Sequence, residues 1–227
     1  MPLDLARIRA VCFDVDGTLS DTDDHFVQKL SRALRRARFL FPAGDPVPFA
    51  RWLVMRTERP GNLLIGIPDR LGIDHHLAAM GDALYRLGLG RSSAPFLLME
   101  GVRELLIRLR ARYPLSIVSA RGQRTTLLFL QQFDLSPFFR CVATAQTCRY
   151  TKPYPHPILW AAAQMEVPPD ACVMIGDTPV DIRAGKAAGA QTVGVLCGFG
   201  EADELQQAGA DLILPRTCDL AEILLKE

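Results

Sequence analysis

Six apolar runs of strand length recur along this chain with helical patterns between them: Val11–Val15, Leu115–Ser119, Cys141–Thr144, Cys172–Ile175, Thr192–Leu196 and Leu212–Leu214. That alternation leaves little choice of architecture. Parallel strands need long crossovers, the crossovers are right-handed, and the helices they carry cover both faces of the sheet. Val102–Arg112 puts Val102, Leu105, Leu106 and Leu109 on one face and Arg103, Arg108, Arg110 and Arg112 elsewhere. Gln123–Phe133 carries Leu127, Leu128 and Leu130. A further helix is expected from near Pro179 to Ala188, with Gly189 placed to end it in a left-handed cap.

Residues 20–97 interrupt the pattern. They separate the first strand from the rest and lack β-alternation. Asp24–Phe39 and Leu77–Leu87 read as helices joined by the Pro/Gly-rich stretches Phe41–Pro48 and Pro60–Pro68. A structureless loop of that length is foreign to a compact domain, so the segment reads as an insertion. The expected organisation is a core domain of residues 1–19 and 98–227 carrying a helical cap domain of residues 20–97.

The chain of 227 residues is long enough for such a core plus insertion. Its formal net charge of +1 gives no electrostatic reason to expect a nucleic-acid or membrane partner. No apolar run approaches the roughly 20 residues that cross a bilayer. The start, with Asp4, Arg7 and Arg9, lacks the apolar centre of a secretory signal. There is no CxxC, and Cys12, Cys172 and Cys197 sit in apolar runs where a reduced thiol acts as a small hydrophobe. A cytoplasmic location follows as the expectation.

The chemistry gathers where strands end. Asp14-Val15-Asp16-Gly17-Thr18 follows the apolar run Ala10-Val11-Cys12-Phe13. In an open parallel sheet, ligands bind beyond the carboxyl ends of the strands. Asp14 at such an end suits a carboxylate nucleophile that forms an aspartyl-phosphate. Asp16, one strand period further on, suits an acid that protonates the leaving alcohol and then a base that activates water. Gly17 permits a tight turn beside phosphate. Ser119 offers a hydroxyl and, with Ala120, backbone donors to phosphate. Lys152 supplies a point charge for the phosphoryl oxygens and the nucleophile. Carboxylate and phosphate repel, so a cation such as Mg²⁺ is expected. Its natural ligands are Asp14 and Asp177, with Asp181 nearby or in the outer shell. Arg121 fits either a phosphate contact or a surface salt bridge.

FDVDGTLSDT, IVS, TKPYPHPIL and IGDTPVDIRAGKAAGAQTVGV, in that order, resemble the four motifs of the haloacid dehalogenase-like (HAD) hydrolase superfamily, particularly its phosphoglycolate phosphatase-like branch. The resemblance covers most of residues 8–22 and 101–200. It implies a Rossmann-like α/β core, Mg²⁺-dependent phosphoryl transfer and a helical cap over a small phosphorylated metabolite. It makes Asp14 the nucleophile and Asp16 the acid/base, with Asp14, Asp16 (through its carbonyl) and Asp177 on the metal. It puts Ser119 and Lys152 on phosphate, and Ala120, next to Ser119, is taken as a phosphate-binding candidate with them. Ala120 stands where relatives often carry Asn or Ser, and Thr151 replaces the glycine common before Lys152-Pro153.

The leading expectation is a phosphatase for a small phosphomonoester, phosphoglycolate or a sugar phosphate. A phosphomutase of the β-phosphoglucomutase type is the alternative, although the histidine such relatives carry falls at Phe26 here, with His25 one position early. A catalytically silent binding protein on the same scaffold is the third reading. His75-His76 reads as a solvated helix start and His156, between two prolines, as a loop residue. The cap arginines, such as Arg35 and Arg51, read as solvated faces, one or two of which grip a second anionic group. Leu53, Met55 and Trp52 are candidates for the cap's underside.

Overall fold

Each of the six apolar runs is a strand, and all pair in parallel in the order β3-β2-β1-β4-β5-β6. The computed structural model describes residues 3–21, 34, 41, 46, 49 and 96–226. In chain order these hold β1 (Ala10–Phe13), α1 (Val102–Leu109), β2 (Leu115–Val118), α2 (Gln123–Gln132), β3 (Cys141–Ala143) and α3 (His156–Gln164). There follow β4 (Cys172–Gly176), α4 (Pro179–Ala187), β5 (Gln191–Val195), α5 (Ala202–Ala208), β6 (Leu212–Leu214) and α6 (Leu220–Leu224). Apart from residues 20, 21, 34, 41, 46, 49, 96 and 97, the expected cap lies outside the described residues, as do His25, His75, His76, Leu53, Met55, Trp52, Arg35 and Arg51.

Strand alternation divides the core between two faces. Val11 and Phe13 of β1 and Val173 and Ile175 of β4 pack with Leu105, Leu106 and Leu109 of α1, Phe129 and Leu130 of α2, and Leu220 of α6. Ala10 and Cys12, with Cys172 and Met174, face Ile158, Ala161 and Ala162 of α3 and Ala184 of α4. Sheet strands buried on both faces read as continuous apolar runs, which is why they were visible in the sequence.

Several expectations shift. β1 ends at Phe13 rather than Val15, because the chain turns back at once: Ser20 N–H donates to Val15 O at 2.8 Å and Gly17 N–H to Ser20 O at 3.0 Å. On α2 the buried set is Thr126, Phe129 and Leu130, while Leu127 is 37% exposed. His156 is not in a loop. It opens α3, with Pro157 in the first turn where a missing N–H costs nothing. Gly189 does adopt φ +79° after α4. Among the described residues no helix is long and apolar enough to cross a membrane.

Successive crossovers carry the chain from β1 outward through β2 to β3, then back past β1 to β4 and on to β6. The direction reverses at β1, and the crevice beyond the carboxyl ends of β2, β1 and β4 is where such a fold binds ligands. Residues 19–21 and 97–99 form a short ribbon leading out of and back into this crevice: Met99 N–H donates to Leu19 O at 3.0 Å and Asp21 N–H to Leu97 O at 2.9 Å.

Candidate active site

Asp14 is the first residue past β1, held there because its N–H donates to Ile175 O of β4 at 2.9 Å. Its side chain is buried and accepts from Lys152 Nζ at 2.7 Å. The same ammonium donates to Asp181 Oδ1 at 2.6 Å. Lys152, 3% exposed, thus bridges two buried carboxylates. Burial opposes its charge, but Asp14 and Asp181 outweigh burial and hold its pKa above the usual lysine range.

Asp177 follows β4 and is fully buried. Phe199 N–H donates to its Oδ2 at 2.8 Å, and Thr18 Oγ1 approaches Oδ1 at 3.4 Å. Gly17 has φ +70°, and a Cβ there would lie 2.1 Å from Asp177 Oδ2. Gly198 closes the other side, where a Cβ would come within 2.2 Å of the same oxygen. Only glycine lets both loops approach this carboxylate.

Asp181 stands in the first turn of α4. Its Oδ2 accepts from Thr178 N–H at 3.1 Å and Thr178 Oγ1 at 2.6 Å, which caps the helix and leaves Oδ1 for Lys152. Oxygens of Asp14, Asp177 and Asp181 lie within 4.8 Å of one another. Burial, followed by repulsion from Asp181 and Asp16 against the pull of Lys152, pushes the Asp14 pKa up to about 7. Asp177 is likewise raised, by burial and then by Asp181 and Asp14. Three close-set buried carboxylates share one ammonium, which pairs with Asp14 and Asp181 only, so negative charge exceeds positive when all three are ionised. Hard, close-set oxygens of this kind suit a small divalent cation such as Mg²⁺.

The remaining candidates sit at the rim. Ser119 follows β2, is buried, and accepts from Arg121 N–H at 3.2 Å. Ala120 is exposed beside it. Asp16 lies on the turn after Asp14 and accepts from Arg121 Nε at 2.9 Å, with a second bond from Nη2. Asp14, Lys152 and Asp177 thus meet as the sequence implies. Asp181 is drawn further in than expected, and Arg121 pairs with Asp16. The part played by Phe199 N–H and Gly198 was not legible, because a loop after β5 reaching back to Asp177 leaves no local signature.

Residues 8–189 match the model of the haloacid dehalogenase-like hydrolases. The chain belongs to that family. A "Pyrophosphatase PpaX" of Anoxybacillus flavithermus is 28% identical over 96% of this chain and 97% of its own. A "Phosphoglycolate phosphatase" of Pseudomonas putida is 28% identical over 91% and 76%. The crystal structure of a "predicted phosphoglycolate phosphatase" from Haemophilus somnus superposes with a TM-score of 0.63 over 96% of this chain and 98% of that one, at 20% identity. Family membership makes this chain a haloacid dehalogenase-like hydrolase, and its core has the HAD-like fold.

Proposed function

We propose that this HAD-like hydrolase is a Mg²⁺-dependent phosphatase that cleaves a small phosphorylated metabolite through an aspartyl-phosphate. Phosphoglycolate or a sugar phosphate is the preferred substrate class. The observation that carries the reading is Asp14, a carboxylate buried at the sheet's switch point, hydrogen-bonded to Lys152 and close to two further carboxylates.

Asp14 attacks phosphorus, and Asp16 gives its proton to the departing alcohol. Asp16 then takes a proton from the water that releases phosphate. Lys152 steadies the nucleophile and the phosphoryl oxygens, while Ser119 and the Ala120 backbone offer donors on the β2 side. Asp14, Asp177 and the Asp16 carbonyl would hold Mg²⁺, with Asp181 beside them. The ion supplies charge neutralisation between nucleophile and phosphate. Residues 20–97 act as the cap that shields this chemistry from bulk water. All six cysteines are free, which fits a cytoplasmic enzyme.

Phosphate release from phosphoglycolate, several sugar phosphates and pyrophosphate tests this, with Mg²⁺ and with chelator. Wild type should release phosphate only with metal. Asp14→Asn should lose on the order of 10³-fold or more, as expected for a covalent nucleophile. Near-normal hydrolysis by a folded Asp14→Asn protein would sink the mechanism.

A further inference from the structure

The phosphatase reading employs Lys152 and leaves Arg121 without a task. Arg121 stands two residues past Ser119, and its fork grips both oxygens of Asp16, Nε on Oδ2 at 2.9 Å and Nη2 on Oδ1. Its carbon centre lies 4.9 Å from the Phe96 ring centroid. Phe96 in turn meets Phe129 of α2 edge-on, centroids 5.8 Å apart, and Phe129 is fully buried. A line of contacts therefore runs from the core through Phe96 and Arg121 to Asp16. A planar fork fixes a carboxylate's rotation as well as its position, which a point charge does not. The aromatic face holds the plane of the guanidinium. The fork takes one acceptor position on each carboxylate oxygen.

We propose that Arg121 is a positioning residue, which through this two-pronged pairing aims Asp16 at the ester oxygen of the substrate. The inference rests on the phosphatase reading. In the first step an Asp14 oxygen bonds to phosphorus, and the P–O ester bond breaks with its electron pair on the ester oxygen. The Asp16 proton passes to that oxygen. In the second step water adds to phosphorus and gives a proton to Asp16, as the P–O bond to Asp14 breaks and its pair returns to Asp14. Arg121 acts through Asp16 alone and contacts neither the phosphorus nor the ester oxygen in these steps. A guanidinium that gripped the phosphoryl group instead would aid every substrate alike, with or without Asp16.

The test compares Arg121→Ala and Arg121→Lys in the full chain, alone and with Asp16→Ala. Substrates are glycerol phosphate, whose alkoxide needs a proton, and p-nitrophenyl phosphate, whose leaving group does not. Either Arg121 variant should lower kcat/KM for glycerol phosphate by about 10- to 100-fold, part of the 10²–10⁴ typical of general acid catalysis. The loss on p-nitrophenyl phosphate should stay below about threefold. Lysine should not rescue, because it lacks the fork. In the Asp16→Ala background, Arg121→Ala should change neither substrate by more than about twofold, since residues acting through one another are not additive. Equal losses on both substrates, or a full loss that persists without Asp16, would overturn the proposal and put Arg121 on the phosphate. Wild type and Asp14→Asn run alongside keep the two readings apart. Absence of wild-type turnover sinks both, whereas Asp14-dependent turnover with equal Arg121 losses sinks this one alone.

Discussion

At the scale of single residues, the site is built by close approach more than by distinctive side chains. Gly17 and Gly198 bracket the Asp177 carboxylate so tightly that a methyl at either position would overlap it. Gly17→Ala adds the cost of a left-handed backbone, about 1 kcal/mol, to that overlap. The variant should melt at least several degrees lower and lose most phosphate release, read by thermal unfolding and the same phosphate assay. Wild-type melting together with wild-type turnover would show that the turn can relax away from Asp177. Much of this was legible in the sequence. DVDGT after an apolar run announces a strand end, a carboxylate and a turn that needs glycine. The depth of Asp181 was not, since its Oδ1 is aimed by the cap that its Oδ2 makes with Thr178. Nor was the choice open to Arg121, which only the folding of β2 beside β1 decides.

At the scale of elements, the strands were readable because burial makes them largely apolar, most fully in the four inner strands β2, β1, β4 and β5. The helices were readable only where one face is polar. α1 matches its expected stripe of Val102, Leu105, Leu106 and Leu109. α3, rich in alanine and introduced by prolines, hides its periodicity in a run that is apolar almost all round. Links between elements are less legible still. Asp211, just before β6, accepts from Thr192 N–H of β5 at 2.8 Å and from Lys186 of α4. Partial burial works to raise its pKa, but the hydrogen bonds from Lys186 and Thr192 outweigh burial and hold it below the ordinary carboxylate value. A carboxylate depressed in the folded state adds stability above its unfolded pKa, about 3.9, and loses it as pH falls through the folded value. Wild type should therefore melt above Asp211→Asn at pH 7, and the gap should narrow below about pH 4. A gap that stayed constant or widened in acid would mean that the neutral form serves α4 and β5 equally well.

For the whole molecule, the order β3-β2-β1-β4-β5-β6 places every catalytic candidate on one edge of one sheet. Asp14 leaves β1, Ser119 leaves β2, and Asp177 leaves β4. Lys152 and Asp181 arrive from the flanking connections on the β3 and α4 sides. The fold that makes this convergence possible also concentrates negative charge where water is excluded. Burial and mutual repulsion raise both Asp14 and Asp177, so the metal-free protein carries an electrostatic cost at its active edge. Active sites commonly sacrifice stability in this way, and removing the charge returns it. Asp177→Asn keeps an oxygen to accept from Phe199 N–H while shedding one negative charge. In chelator it should melt above wild type by roughly 2–4 °C, the shift that about 1 kcal/mol produces in a chain of this size. Added Mg²⁺ should reverse the ranking. A ligand bound only by the folded state stabilises by about 2.7 kcal/mol at a hundred times its Kd, and wild type should gain that increment while the variant gains little. Thermal melts of both proteins across a Mg²⁺ titration decide the matter. Equal metal shifts in the two would remove Asp177 from the cation site. A variant that is less stable than wild type in chelator would show that the ionised carboxylate, held by Phe199 and Thr18, is a net structural asset even without the ion.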